Sequence, residues 1–394
     1  MTDQIVITGV GVVSPVGCGE AGFWEGLCSG RSGAGPVEGL STSNLSRHVA
    51  CQIREPIEEV SGCGRAAQLS VSAARQAWKG AGLEDEAHPD ARTAVLVGTT
   101  MGETQFIEEP LFDGTGDPLT AEELAGVVQH SPGCIARAVG QALGLSGSAV
   151  DVYGACAAGN IALHLACRHL LDDRADIVLA GGADGFSRLA FIGFMRLRVM
   201  AAEVCRPFDV RRDGLLVGEG AAMFVFEREG DARARGAPIR ARLVGSGLSS
   251  ESYHPTRPDP DGDGLARATL AALADAGLSP ETIDYVNAHG TGTPHNDAIE
   301  MKVLDRCFPG GVPFSSIKAV TGHAMGGAAA LEAACCLLSL EHQRLIPTWN
   351  LEQVQQPCNG EALRGGTRQA RVRYALNNSA GFGGYNSSVV LARA

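Results

Sequence analysis

The 394-residue sequence predicts an α/β fold of two pseudo-symmetric halves, with mostly parallel sheets layered with helices. Three observations point there. Val/Ile-rich runs alternate with segments of helical apolar spacing, the pattern of parallel strands joined by crossover helices. The same order of elements occurs twice. Glycine is abundant, at 52 residues, and aromatics are 5%, which suits close helix packing and many tight turns.

In the first half, residues 5–13 read as a strand closed by the turn Ser14-Pro15-Val16-Gly17, and residues 23–27 as a short helix. Residues 29–63 are loop-rich. Residues 68–80 have helical spacing and end at Ala81-Gly82-Leu83. Residues 93–97 form a strand followed by Gly98-Thr99-Thr100-Met101-Gly102. About 103–133 is irregular, with Gly, Pro and acidic residues. A helix over 134–143 and a strand over 149–153 follow. Gly154 breaks that strand, and Ala158, Ile161, Ala162, Leu165 and Ala166 then repeat at helical spacing. Strands over 177–180 and 222–227 complete the half, and residues 231–238 join it to the next.

The second half repeats the order. A strand covers 239–247, a helix 266–275 and a strand 283–287, which runs into His289-Gly290-Thr291-Gly292-Thr293. Val320-Thr321-Gly322-His323 then opens a small-residue helix whose apolar stripe is Ala330, Leu331, Ala334, Cys335 and Leu338. Ala81-Gly82-Leu83 matches Ala276-Gly277-Leu278 at an offset of 195 residues, and Cys156 matches His323 at 167. The difference of 28 falls on 103–133, which reads as an insertion in the first copy, a pocket or subunit-contact element. The halves are therefore drawn at 1–235 and 236–394.

Composition excludes several classes. Apolar residues are 45% and charged residues 19%, enough for a large core, and the net charge is −12. That charge argues against nucleic-acid binding, and an acidic partner would need a local basic patch. The twelve cysteines form no paired CxxC with zinc spacing. The N-terminus runs straight into a strand, and no apolar run reaches about 18 residues. The expectation is a soluble cytoplasmic protein with reduced thiols and no membrane contact.

Cys156 is the candidate nucleophile. It sits at a strand-to-helix turn, where unpaired N–H groups and the helix dipole favour a thiolate. Pseudo-symmetry brings the equivalent turns of the halves together, so Cys156 and His323 face one cleft, joined by His289. A cysteine with two histidines suits acyl transfer. Two neutral imidazoles can stabilise an enolate, the demand of carbon–carbon bond formation by decarboxylation. Lys318, five residues before His323, would bias the site electrostatically, and Glu332, nine after it, would buttress the lysine or order water. Spacing alone leaves two other readings open: core histidines, or a metal site of His289, His295 and Asp297. No zinc-ligand pattern completes the latter.

Taken together the motifs resemble the β-ketoacyl-acyl-carrier-protein synthases of the elongating Cys-His-His type, on the thiolase-like fold. Those carrying the resemblance are Ile7-Thr8-Gly9-Val10-Gly11, Gly154-Ala155-Cys156-Ala157-Ala158-Gly159, Arg206-Pro207-Phe208-Asp209 with Gly218-Glu219-Gly220, His289 to Pro294, Lys318 to Gly327, and Asn377 to Asn386. They run in order over essentially the whole chain.

The resemblance implies that Cys156 carries the acyl group and that His289 and His323 serve decarboxylation and condensation. It implies an oxyanion hole from the N–H groups of Cys156 and Phe382, with the Phe382 ring as a gate. Thr291, Thr293 and Thr256 would contact the phosphopantetheine arm, and Met101 would cap the acyl pocket. Arg65 and Arg206 are candidates for meeting an acyl carrier protein. No metal and no cofactor beyond the carrier's phosphopantetheine is implied. The expected assembly is a homodimer, or a heterodimer with a paralogue resembling a chain-length factor. Tyr153-Gly154-Ala155, Ala380, Tyr385 and Glu103 depart from the housekeeping pattern and favour polyketide or other specialised-metabolite synthesis over fatty-acid synthesis. The alternatives carried are an acyltransferase on the same fold and a non-catalytic carrier-binding partner.

Overall fold

The structure, a computed structural model, describes residues 4–84, 91–113, 120–122, 124–125 and 133–394. The first half contains β1 (Ile5–Ser14), α1 (Gly19–Ser29), α2 (Arg65–Gly80), β2 (Thr93–Thr99), α3 (Gln105–Asp113), α4 (Cys134–Ala142), β3 (Ser148–Tyr153), α5 (Ala158–Leu171), β4 (Ile177–Asp184), α6 (Arg188–Arg196) and β5 (Gly220–Arg228). The short helix α7 (Glu229–Ala234) leads to the second half. That half contains β6 (Ala241–Ser250), α8 (Asp263–Ala276), β7 (Tyr285–Asn287), α9 (Pro294–Cys307), β8 (Pro313–Ser315), α10 (Met325–His342), β9 (Tyr374–Gly381) and β10 (Tyr385–Arg393).

The strands join in the order β8-β7-β9-β10-β6-β1-β5-β4-β2-β3, with the two-residue strand Glu361–Ala362 beyond β8. This order is a palindrome. β3, β2, β4, β5 and β1 of one half correspond to β8, β7, β9, β10 and β6 of the other. The outer strands of each half pair in parallel: β2 with β3 and β4, β7 with β8 and β9. The inner strands pair antiparallel. A pseudo-twofold axis therefore passes between β1 and β6, which pair only at Ile5–Ile7.

Beyond that short contact α5 and α10 lie between the two half-sheets. α10 packs on β4, β5 and β9, and α5 on β2, β4 and β10. Every residue from Met325 to Leu340 is buried, as an Ala- and Cys-rich helix without a polar face requires. The outer layers are α2 and α4 on one side, and α8 and α9 on the other. The two central helices touch main chain to main chain: a Cβ on Gly159 would lie 2.8 Å from the Ala330 nitrogen. Among the described residues no helix is long and apolar enough to cross a membrane.

Some elements differ from expectation. Part of the stretch read as irregular is helical: α3 covers Gln105–Asp113, opened by Thr104 bonding Glu108 at 3.0 Å. Residues 114–119, 123 and 126–132 of that stretch lie outside the described residues. α6 and α9 were not anticipated. α9 starts at Pro294, whose fixed φ and missing N–H suit a first helical position. The C-terminal glycine segment is a hairpin: β9 and β10 pair from Tyr374 opposite Ala392 to Gly381 opposite Tyr385, around the turn Phe382–Gly384.

Candidate active site

Gly154 ends β3, and Ala155 turns the chain with φ at 47°. That left-handed conformation costs a residue with a Cβ about 1–2 kcal/mol. It puts Cys156 in the turn Ala155–Ala157 immediately before α5. His323 holds the symmetric place, two residues before α10 as Cys156 is two before α5. Its N–H bonds Leu216 O at 2.8 Å and its carbonyl accepts from Gly218 N at 2.9 Å, so the Gly218-Glu219-Gly220 segment holds the second histidine. His289 follows β7. Its N–H and that of Gly290 bond the buried Glu300 carboxylate, each at 2.7 Å.

The Cys156 sulfur and one ring nitrogen of each histidine all lie within 4.8 Å of one another. The imidazole centroids are 5.4 Å apart, at 81°. Lys318 lies beneath them, fully buried. Its ammonium pairs with Glu332, bonds His289 O at 2.7 Å and approaches His289 Nδ1 at 3.3 Å. An ammonium only donates, so Nδ1 accepts and the ring carries its proton on Nε2. Ser379 ties strand to nucleophile: its hydroxyl donates to Cys156 O at 2.9 Å and lies 3.5 Å from His289 Nδ1. The Phe382 N–H is near enough to the Cys156 sulfur to favour its charged form.

Family profiles match this chain in two blocks: "Beta-ketoacyl synthase, N-terminal domain" over residues 2–232 and "Beta-ketoacyl synthase, C-terminal domain" over 240–352. The chain belongs to the β-ketoacyl synthase family. The synthase is 32% identical to 3-oxoacyl-[acyl-carrier-protein] synthase 2 of Coxiella burnetii, over 99% of this chain and 98% of that protein. It is 34% identical to the tetracenomycin polyketide synthase ketoacyl synthase alpha subunit of Streptomyces glaucescens, over 99% and 97%. Its fold superposes on the ishigamide ketosynthase/chain length factor with a TM-score of 0.93, at 35% identity and full coverage of both chains.

In the synthase the electrostatics of the site are set by burial. It holds both histidines well below the usual imidazole range, helped by the Lys318 charge, so both rings are neutral at pH 7. Burial also pushes the Cys156 thiol up to about 11, against the opposing pull of Lys318 and the Phe382 N–H. The resting sulfur is therefore a thiol, and the thiolate expected from its helix-terminal position is not met. Glu332 is pushed up to about 7 by burial, opposed by Lys318.

A cavity of about 320 Å³ reaches Cys156, His289 and His323, and Thr256, Thr291 and Thr293 all line it. Thr291 and Thr293 share a hydroxyl bond of 2.8 Å. Phe382 and Phe194 of α6 line it too, their ring centroids 5.7 Å apart.

Other candidates sit elsewhere. Met101 does not line this cavity; it packs in an apolar cluster with Phe186, Phe191 and Met325. Arg65 is not a free surface arginine, because the buried Glu219 carboxylate binds it at 2.8 Å and Ile53 O accepts a further bond at 3.3 Å. Arg206 is half-buried and turned to Val204 O at 3.4 Å. The exposed arginines at the mouth are Arg198 and Arg257. Glu103 is not in the cavity either: it caps α2, accepting from Ala67 N at 2.6 Å and Ala66 N at 3.3 Å.

Asp297, expected in one metal reading, turns its carboxylate to the N–H groups of Phe208 and Gly292. Among the described residues only Cys156, His289 and His323 are close enough to share a cation, and the Lys318 charge beside them opposes one. Sequence reasoning missed Ser379 and Phe194. Ser379 shares a strand face with Asn377 and Gly381, and that alternation is the signal for it. Phe194 carries no local signal.

Proposed function

We propose that the synthase is the elongating condensing enzyme of a polyketide or related specialised-metabolite pathway, joining an acyl group on Cys156 to a malonyl unit from an acyl carrier protein. The observation that carries this is a buried thiol facing two neutral imidazoles, with the Phe382 N–H beside the sulfur. In the first step the sulfur attacks the acyl thioester, and the thiol proton passes to the departing phosphopantetheine sulfur. The Phe382 and Cys156 N–H groups hold the oxyanion. In the second step malonyl-carrier protein loses carbon dioxide. His289, protonated on Nε2 by the Lys318 contact, and His323 hold the enolate oxygen. The carbanion then attacks the acyl-enzyme, breaking its C–S bond and releasing the β-ketoacyl product; the Cys156 thiolate left behind takes up a proton from solvent, which restores the thiol.

The phosphopantetheine arm enters past Thr256, Thr291 and Thr293 and is the only cofactor this chemistry requires. A specialised pathway is favoured by the departures at Tyr153, Ala380 and Tyr385, and by the similarity to polyketide ketosynthases. The protein acts in the cytoplasm. β3 is a sheet edge with Val150 and Tyr153 exposed at 44% and 49%. An apolar open edge invites a second strand, and it supports a dimer through β3, with another copy or a chain-length-factor-like paralogue.

Intact-protein mass after exposure to acyl-carrier thioesters tests the first step: a gain in the native protein and none in Cys156→Ala is expected. An equal gain in Cys156→Ala refutes it. Formation of a β-ketoacyl product only when malonyl-carrier protein is present separates condensation from simple acyl transfer.

A further inference from the structure

We propose that Glu108 is a positioning residue for the Phe382 gate, acting through α6; this rests on the reading of Phe382 as a gate. The first turn of any helix leaves N–H groups without intrahelical partners. In α6 these are met largely from another element. Glu108 accepts from Arg188 N at 2.9 Å and Leu189 N at 3.2 Å, and from the Ser187 hydroxyl at 2.5 Å. The Ser187 oxygen in turn accepts from Ala190 N at 3.0 Å. Glu108 belongs to α3, 80 residues earlier. The carboxylate is 2% exposed. A buried acid is held in place by such donors, because leaving them costs its full desolvation.

α6 connects this cap to the active-site cavity. Phe194 lies six residues beyond Arg188, about 9 Å along the helix axis, and its ring meets Phe382 at 5.7 Å. Between them the buried Phe191 packs on Phe186 at 5.8 Å. Past the helix, Leu215 N bonds Val199 O at 2.9 Å and fixes the exit. A helix pinned at its middle and exit keeps Phe194 in register only if its first turn is also held. Glu108 holds it, so α3 and the gate move together.

Iodoacetamide alkylation of Cys156 at one fixed pH reads the gate, followed by mass in wild type, Glu108→Gln, Phe194→Ala and the double variant. Glu108→Gln is expected to react about fivefold faster, the equivalent of about 1 kcal/mol for a weakened helix cap. Phe194→Ala is expected to react at least as fast, and the double variant no faster than Phe194→Ala alone. Ser187→Ala, a milder change to the same cap, is expected to accelerate alkylation about twofold. A purely structural Glu108 would lower Tm and leave alkylation unchanged. The proposal is overturned if Glu108→Gln and Ser187→Ala alkylate at the wild-type rate while Phe194→Ala is fast, or if the two effects multiply in the double variant. If Phe194→Ala reacts at the wild-type rate, the gate reading itself falls and takes the proposal with it.

Discussion

Lys318→Met should separate stability from catalysis. The ammonium is fully buried and satisfies Glu332, His289 O and His289 Nδ1 together. Removing one partner of a buried ion pair costs about 3–5 kcal/mol, because the other charge is left unpaired. At about 2.1 cal/mol/K of unfolding entropy per residue, this is a fall of about 4–6 °C in Tm for a chain of this size. Replacing both partners, Lys318→Met with Glu332→Leu, leaves no charge stranded, and most of the lost Tm should return. The unpaired His289 carbonyl keeps the recovery incomplete.

Activity should not return. In both variants His289 Nδ1 keeps only the 3.5 Å contact with Ser379, whose hydroxyl proton goes to Cys156 O, and the enolate loses a fixed Nε2–H donor. Malonyl-carrier decarboxylation is expected to fall about 10²–10⁴-fold, the range of a positioned acid–base group. Thermal unfolding and carbon dioxide release, measured on the same preparations, make the comparison. Recovery of decarboxylation in the double variant would refute the tautomer argument. A loss of under about 1 °C in the single variant would refute the burial argument.

Other outcomes follow from the same geometry. Both imidazoles lie well below the usual range, so decarboxylation should be flat from pH 6.5 to 8 and fall only in more acid solution. With the Cys156 thiol pushed up to about 11, alkylation of the free enzyme should rise about tenfold per pH unit from 7 to 10; a plateau near 7 would contradict it. Glu103 is pushed up to about 7, above its unfolded value, so its contribution to stability is full in acid and is lost as pH rises through 7. Urea midpoints of Glu103→Gln should therefore gain on wild type between pH 5 and 8, and a constant difference would exclude the effect. Gly159→Ala would force a Cβ to 2.8 Å from Ala330 N, and overpacking of this kind costs about 1–3 kcal/mol. Its denaturant midpoint should drop and acylation of Cys156 should slow.

The turn at Cys156 and the helix behind it were legible because Gly154 and the spacing from Ala158 to Ala166 are local signals. The pairing of Cys156 with His323 was legible because the repeat carries both to equivalent places. The rest depended on contacts distant in sequence. Arg65 reads as a surface arginine until Glu219, 154 residues away, binds it. Glu103 reads as a charge near the pocket until the first turn of α2 is seen to face it. α9 was hidden because its first turn continues the histidine motif, and its buried positions Met301, Leu304 and Cys307 come only after it. Phe194 carries no motif, and its meeting with Phe382 is made by tertiary packing alone.

The close contact of α5 and α10 at Gly159 and Ala330 has a consequence for how such a site can change over time. Where main chain meets main chain, with only the Ala330 methyl beside it, no long side chain sets the distance between the two helix starts. Substitutions elsewhere can reshape the cavity walls without altering the separation of sulfur and imidazole. The two halves can then carry different chemistry at one shared position, one a thiol and the other a base. The reacting distance rests on this helix contact, while the cavity walls are set by the replaceable residues around it.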